Sequence, residues 1–98
     1  MPLFIKTETI REPYLKSKKI KRIEIIQEHK NWIRSLQTQG LNIKSGFLVN
    51  ENQEPGGGGF LVIECDSYNM ALEIVNEDPM IKNEIVDWNL YEWIQCIN

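Results

Sequence analysis

The sequence predicts an α+β sandwich, and three observations carry the prediction. Phe60 to Cys65 is a short apolar run of the kind a buried strand needs, with the β-formers Phe60, Val62 and Ile63. Directly after it the period changes, and Met70, Ala71, Ile74 and Val75 fall at helical spacing. Ahead of it the glycine-rich connection Asn50 to Gly59 leads back to an alternating segment, which makes those two strands a hairpin with a long mobile loop. With a strand and helix before this unit and one strand after it, the order is βαββαβ. Short connections and two helices that must cover one sheet face give a ferredoxin-like sandwich, an antiparallel four-stranded sheet in which the third and fourth strands flank the first.

The elements follow in order. Leu3 to Ile10 reads as the first strand, with Leu3, Ile5, Thr7 and Thr9 on one side and Phe4, Lys6, Glu8 and Ile10 on the other. Arg11-Glu12-Pro13 breaks it. Cations near a helix N-terminus oppose its dipole, so the basic run Lys16 to Arg22 places the start of the first helix near Ile20, with Ser17 available as a cap. That run reads as a solvated face. The helix continues to about Gln39, and Gly40 is a suitable residue just beyond its end. Ile26, His29, Ile33 and Leu36 form one stripe, with Trp32 and Ile25 beside it. Leu41 to Val49 is the second strand and Phe60 to Cys65 the third. Asp66 or Ser67 caps the next helix, and Asp78-Pro79 ends it while opening a further helical turn through Ile85. Trp88 to Ile97 is the last strand.

At 98 residues the chain (1–98) makes a single domain. A net charge of -3 argues against a general nucleic-acid binder, which needs a basic surface. No apolar stretch is long enough to span a bilayer, and the N-terminus lacks the basic segment of a signal peptide, so a cytoplasmic location is expected, with no membrane partner. Cys65 and Cys96 lack zinc spacing and read as free buried thiols. In the last strand Trp88, Leu90 and Ile94 lie on one side and Tyr91, Trp93 and Ile97 on the other. Apolar groups on both faces call for a second cover, most simply another copy of the chain, giving a homodimer through the open sheet face in a dimeric α+β barrel-like assembly.

The glycine run resembles a phosphate loop only in composition, because it feeds a strand and not a helix N-terminus. His29, the one histidine, is the sharper signal, since it stands in line with core-facing residues. It reads either as a satisfied core histidine or as an acid/base tuned by a carboxylate. Asp78 and Asp66 are the candidate partners, each with capping as its ordinary alternative. A Ser-His-Asp triad can be drawn with Ser45, but no nucleophile elbow surrounds that serine.

His29 and Leu36 on the first helix, Ser45-Gly46, the run Gly59 to Ser67, Ala71, Asp78-Pro79, Val86-Asp87 and Trp93 together resemble the YCII-related domain. The resemblance covers nearly the whole chain. It implies a dimeric ferredoxin-like protein whose pocket brings His29 to Asp78, with Ser45 at the serine before glycine in the second strand. It also implies chemistry on small organic acids without metal or cofactor. Ile26 stands where relatives often carry arginine, with Arg22 one turn further back; Phe47 and Glu92 replace prolines. The expected function is a cofactor-independent acid/base enzyme acting on a small organic acid or carbonyl compound through His29 and Asp78. Trp32, Phe47 and Ser45 would contact the substrate. The alternative is a non-catalytic dimeric binding or interaction module.

Overall fold

The computed structural model describes residues 1–97. Four strands, β1 (Leu3–Ile10), β2 (Asn42–Val49), β3 (Pro55–Glu64) and β4 (Val86–Trp93), form one sheet in the order β2-β3-β1-β4, every pair antiparallel. The helices are α1 (Glu12–Lys16), α2 (Lys19–Thr38), α3 (Tyr68–Val75) and α4 (Pro79–Lys82). The first strand is thus flanked by the third and fourth, the arrangement read from the sequence.

Strand register explains how one face becomes the core. Phe4 stands opposite Ile63, which stands opposite Ile43, and Lys6 stands opposite both Leu61 and Leu90. Phe4, Ile43, Leu61, Ile63 and Leu90 are buried there against Ile33 of α2 and Ala71 and Val75 of α3. A fully buried side chain of the Phe4 or Ile63 class contributes about 1.5–3 kcal/mol, so this layer fixes which face the helices cover. A second cluster, Ile25, Met80, Ile85 and Val86, pins α4 against α2. Residues of opposite parity, Leu3, Ile5, Phe60, Val62, Tyr91 and Trp93, turn away from the helices; Tyr91 and Trp93 are about half exposed, at 55% and 48%.

Several boundaries differ from expectation. Pro13 seeds a short helix, α1, ahead of α2, and the Ser17 hydroxyl donates to Pro13 O at 3.1 Å instead of capping α2. α2 begins at Lys19, one residue before the expected Ile20, without a side-chain cap or an acidic first turn. It ends with Gly40 at φ +95°, where the amides of Gly40 and Leu41 return to Gln37 O and Leu36 O. The third strand starts five residues before Phe60, inside the glycine run, because that segment pairs with Glu8 and Val49. The last strand is Val86–Trp93, not Trp88 to Ile97: β1 offers partners only from Leu3 to Ile10, so pairing stops at Trp93. Ile94, Cys96 and Ile97 therefore lie beyond the sheet and are exposed, which corrects the expectation that Cys96 is buried; both thiols are free. The turn after Asp78-Pro79 ends at Lys82, short of Ile85. Ser67, not Asp66, caps α3, accepting from Met70 N at 3.1 Å.

Candidate active site

The site is built on one cross-strand row. Ser45 of β2, Leu61 of β3 and Lys6 of β1 stand side by side on the helix-covered face. Neighbouring strands are about 4.8 Å apart, so Ser45 and Lys6 are separated by roughly 10 Å of sheet. His29 and Asp78 bridge that gap from above. His29 descends from the middle of α2, one turn after buried Ile25 and one turn before buried Ile33. Asp78 is placed by the start of α4: its backbone is extended, Pro79 opens the helix, and its Oδ1 accepts from Met80 N at 2.9 Å.

The contacts run in a chain. His29 Nε2 lies 2.7 Å from Ser45 Oγ, and Nδ1 lies 2.7 Å from Asp78 Oδ1. The other carboxylate oxygen, Oδ2, is 2.5 Å from Lys6 Nζ, and that ammonium is also 2.5 Å from Glu8 Oε1. Asp78 and Lys6 are sealed from solvent, whereas the His29 side chain keeps 12% of its surface open. Burial pushes the Asp78 carboxyl up, but the hydrogen bond from His29 and the positive charge of Lys6 more than offset it, leaving Asp78 below the usual carboxylate range. An ionised carboxylate only accepts, so Nδ1 carries a proton and donates; when the ring is neutral, Nε2 accepts from the Ser45 hydroxyl. The imidazole is thus held at Nδ1 by a buried carboxylate and at Nε2 by a hydroxyl.

The His29–Ser45 pair borders a cleft of about 870 Å³. His29, Ser45, Phe47 and Glu8 line it, with Arg22, Lys30 and Arg34 along the α2 side and the glycines 56, 58 and 59 of β3 along the floor. Lys30 and Arg34, placed on the wet side by helical spacing, thus border the cleft as well. The expected residues separate here. His29, Asp78 and Ser45 come together, and Phe47 lines the cleft with 71% of its surface exposed. Trp32 does not line it; its ring packs 5.8 Å from the His29 ring and against the core, so it supports the imidazole from behind. Asp66, the other candidate partner of His29, is exposed. Asp78 performs both roles that sequence alone set as alternatives, cap and histidine partner.

Lys6 and Glu8 were not expected at the site. The signal was present in the alternation, which put a lysine on the same strand face as Phe4 and Ile10, a core position where a cation needs a counter-charge. Among the described residues no three His, Cys, Asp or Glu side chains are grouped as metal ligands. Among the described residues no helix is long and apolar enough to cross a membrane.

Comparison with known proteins agrees with this layout. The YCII-related domain matches residues 8–94, which takes in β1 from Glu8, the His29 helix, Ser45, Asp78 and all of β4. Among solved structures, 5-chloro-2-hydroxyhydroquinone dehydrochlorinase (TftG) from Burkholderia phenoliruptrix AC1100, in complex with 2,5-dihydroxybenzoquinone, superimposes with a TM-score of 0.69. The two share 20% identity, over 94% of this chain and 93% of that one, a likeness of fold. No curated protein sequence matches the chain. Since the domain match runs through nearly every element that builds the sheet and the site, the chain belongs to the YCII-related domain family.

Proposed function

We propose that the protein is a cofactor-independent acid/base enzyme that moves a proton on a small organic acid or carbonyl compound. The observation that carries this reading is the orientation of His29: Nδ1 is anchored on a buried, ionised Asp78 while Nε2 meets the Ser45 hydroxyl at the wall of an open cleft. A core histidine would be closed to solvent; this one keeps 12% of its side chain open, and its Nε2 meets a hydroxyl that a ligand can replace. In the reaction Nε2 exchanges a proton with the bound compound, taking it as the neutral ring and giving it as the imidazolium. Asp78 balances the imidazolium charge, and Ser45 holds the ligand atom that the proton leaves or joins. Ser45 is not assigned as a nucleophile, since it lies within a regular strand and not on a strained turn.

Arg22, Lys30 and Arg34 give the cleft a positive border suited to a carboxylate or enolate. The bound compound of the dehydrochlorinase, 2,5-dihydroxybenzoquinone, is a small oxygenated ring of this kind and the natural first probe. The working unit in this reading is a homodimer joined through the open sheet face, where Leu3, Ile5, Phe60, Val62, Tyr91 and Trp93 form an apolar surface.

The test is ¹⁵N NMR of the His29 ring tautomer in the wild type and in Asp78→Asn, together with calorimetric binding of 2,5-dihydroxybenzoquinone. The wild type is expected to hold the ring proton on Nδ1 and Asp78→Asn to lose that preference, and binding is expected to depend on His29. The same tautomer in the two proteins would remove the coupling that the chemistry needs. Ligand binding that is intact in His29→Gln, with no proton chemistry in either protein, would leave a binding module.

A further inference from the structure

The Asp78–Lys6 pair does not end the charged chain; it continues to Glu8, and Glu8 returns to the cleft. Glu8 shares the helix-covered face of β1 with Lys6 and is one of the residues that line the cavity facing His29. Its Oε1 is bound to Lys6. Among the described residues Oε2 makes no hydrogen bond, yet no buried side-chain oxygen lacks one, so Oε2 keeps contact with solvent.

Sequence prepares a seat for it. Glu8 stands opposite Gly59 in the sheet, and Gly59 opposite Phe47. A Cβ on residue 59 would meet Glu8 Cγ at 2.6 Å, Cδ at 2.9 Å and Oε2 at 3.0 Å. The side chain therefore leans off its own strand across β3, over the bare glycine, toward the strand that carries Ser45 and Phe47. Lys6 and Gly59 together aim a carboxylate into the floor of the cleft.

We propose that Glu8 is a second catalytic proton-transfer group, acting with His29 on one enolisable hydroxycarbonyl compound. This rests on the acid/base reading of His29. Glu8 Oε2 takes the proton from a carbon next to a carbonyl. The C–H electron pair moves into the new C–C double bond, and the carbonyl π pair moves to oxygen. Protonated Nε2 of His29 gives its proton to that oxygen, yielding the enol. The ligand loses one proton from carbon and gains one on oxygen, Glu8 gains what His29 loses, and water in the open cleft returns the proton from Glu8 to His29. Lys6, wedged between both carboxylates, couples the two groups, since it balances Asp78 on one side and Glu8 on the other.

The test uses 2,5-dihydroxybenzoquinone, itself the enol product of such a step: run in reverse, the step puts a deuteron on a ring carbon, and run forward it removes the proton beside it. In D2O the wild-type protein is expected to speed loss of the ring proton signal in ¹H NMR. Glu8→Gln should slow that exchange about 100-fold or more, the usual contribution of a general base, while binding measured by visible absorbance changes little. Glu8→Asp keeps a carboxylate beside Lys6 and should recover part of the rate, which separates lost chemistry from lost folding. Exchange undiminished in Glu8→Gln but abolished in His29→Gln overturns the role of Glu8 and leaves that of His29. Exchange undiminished in His29→Gln overturns the acid/base reading itself. Wild-type protein that binds the probe without exchange overturns both.

Discussion

Lys6 Nζ stands 2.5 Å from Asp78 Oδ2, and both side chains are closed to solvent. A buried ion pair of this sort recovers its desolvation cost only while both partners are present. Lys6→Met keeps most of the length of the side chain and removes its charge, leaving the buried Asp78 carboxylate and the partly open Glu8 with one counter-charge fewer. The expected loss is about 3–5 kcal/mol of unfolding free energy, read from urea denaturation. A loss under about 1 kcal/mol would mean that His29 alone satisfies Asp78.

The same pair sets a pH dependence. Against the burial that pushes it up, the His29 hydrogen bond and Lys6 hold the folded Asp78 carboxyl below its unfolded value of about 3.9. A depressed folded value means that the unfolded chain binds this proton more readily. The stabilisation is therefore fully present above about pH 4 and is lost as pH falls through the folded value. Asp78→Asn lacks that limb but keeps a side-chain acceptor for Met80 N. Urea midpoints measured from pH 7 down to the acid limit should show the wild-type advantage shrinking below about pH 4. Parallel curves for the two proteins would rule out Asp78 as the source.

How far the site was legible in the sequence depended on the physical character of each signal. The sheet order and the covered face could be read because alternation is local: Phe4, Ile43, Leu61 and Ile63 each announce their own side. His29 was legible for the same reason, as a polar residue inside an apolar helical stripe. Its partner was not, because Asp66 and Asp78 are both good capping residues by spacing, and only the packing of α4 on α2 decides which one reaches the ring. Lys6 was legible only as a cation at a core-facing strand position; that Asp78 balances it depends on the start of α4 reaching β1, which no local pattern contains. The end of β4 was misplaced because strand length is set by the partner strand β1, which a local pattern does not contain.

The glycines beside Glu8 give a further prediction with two grades. Gly58 has φ +86°, and a Cβ there would stand 2.4 Å from Glu8 O. Backbone cannot swing aside, and the left-handed conformation adds strain, so Gly58→Ala should cost about 1–3 kcal/mol or more. The three atoms nearest a Cβ at Gly59 all belong to the Glu8 side chain, which can move. Gly59→Ala should cost less, and Glu8→Ala in the same chain should restore part of the loss. A double-mutant cycle of thermal unfolding measures this, and additive losses would show that Gly59 is not shaped around Glu8.

The open sheet face predicts assembly. Cross-strand rows place Tyr91 beside Ile5 and Val62, and Trp93 beside Leu3, on the side no helix covers. An apolar surface spread over three neighbouring strands is larger in kind than the scattered apolar residues of an ordinary exterior. A two-fold partner would cover the same surface on both copies. Sedimentation at micromolar concentration is expected to give a dimer for the wild type. Trp93→Glu sets a charge into that surface at a position already 48% exposed in the single chain, so it should yield a folded monomer with native circular dichroism. A monomeric wild type, or a Trp93→Glu protein that still dimerises, would move the interface elsewhere.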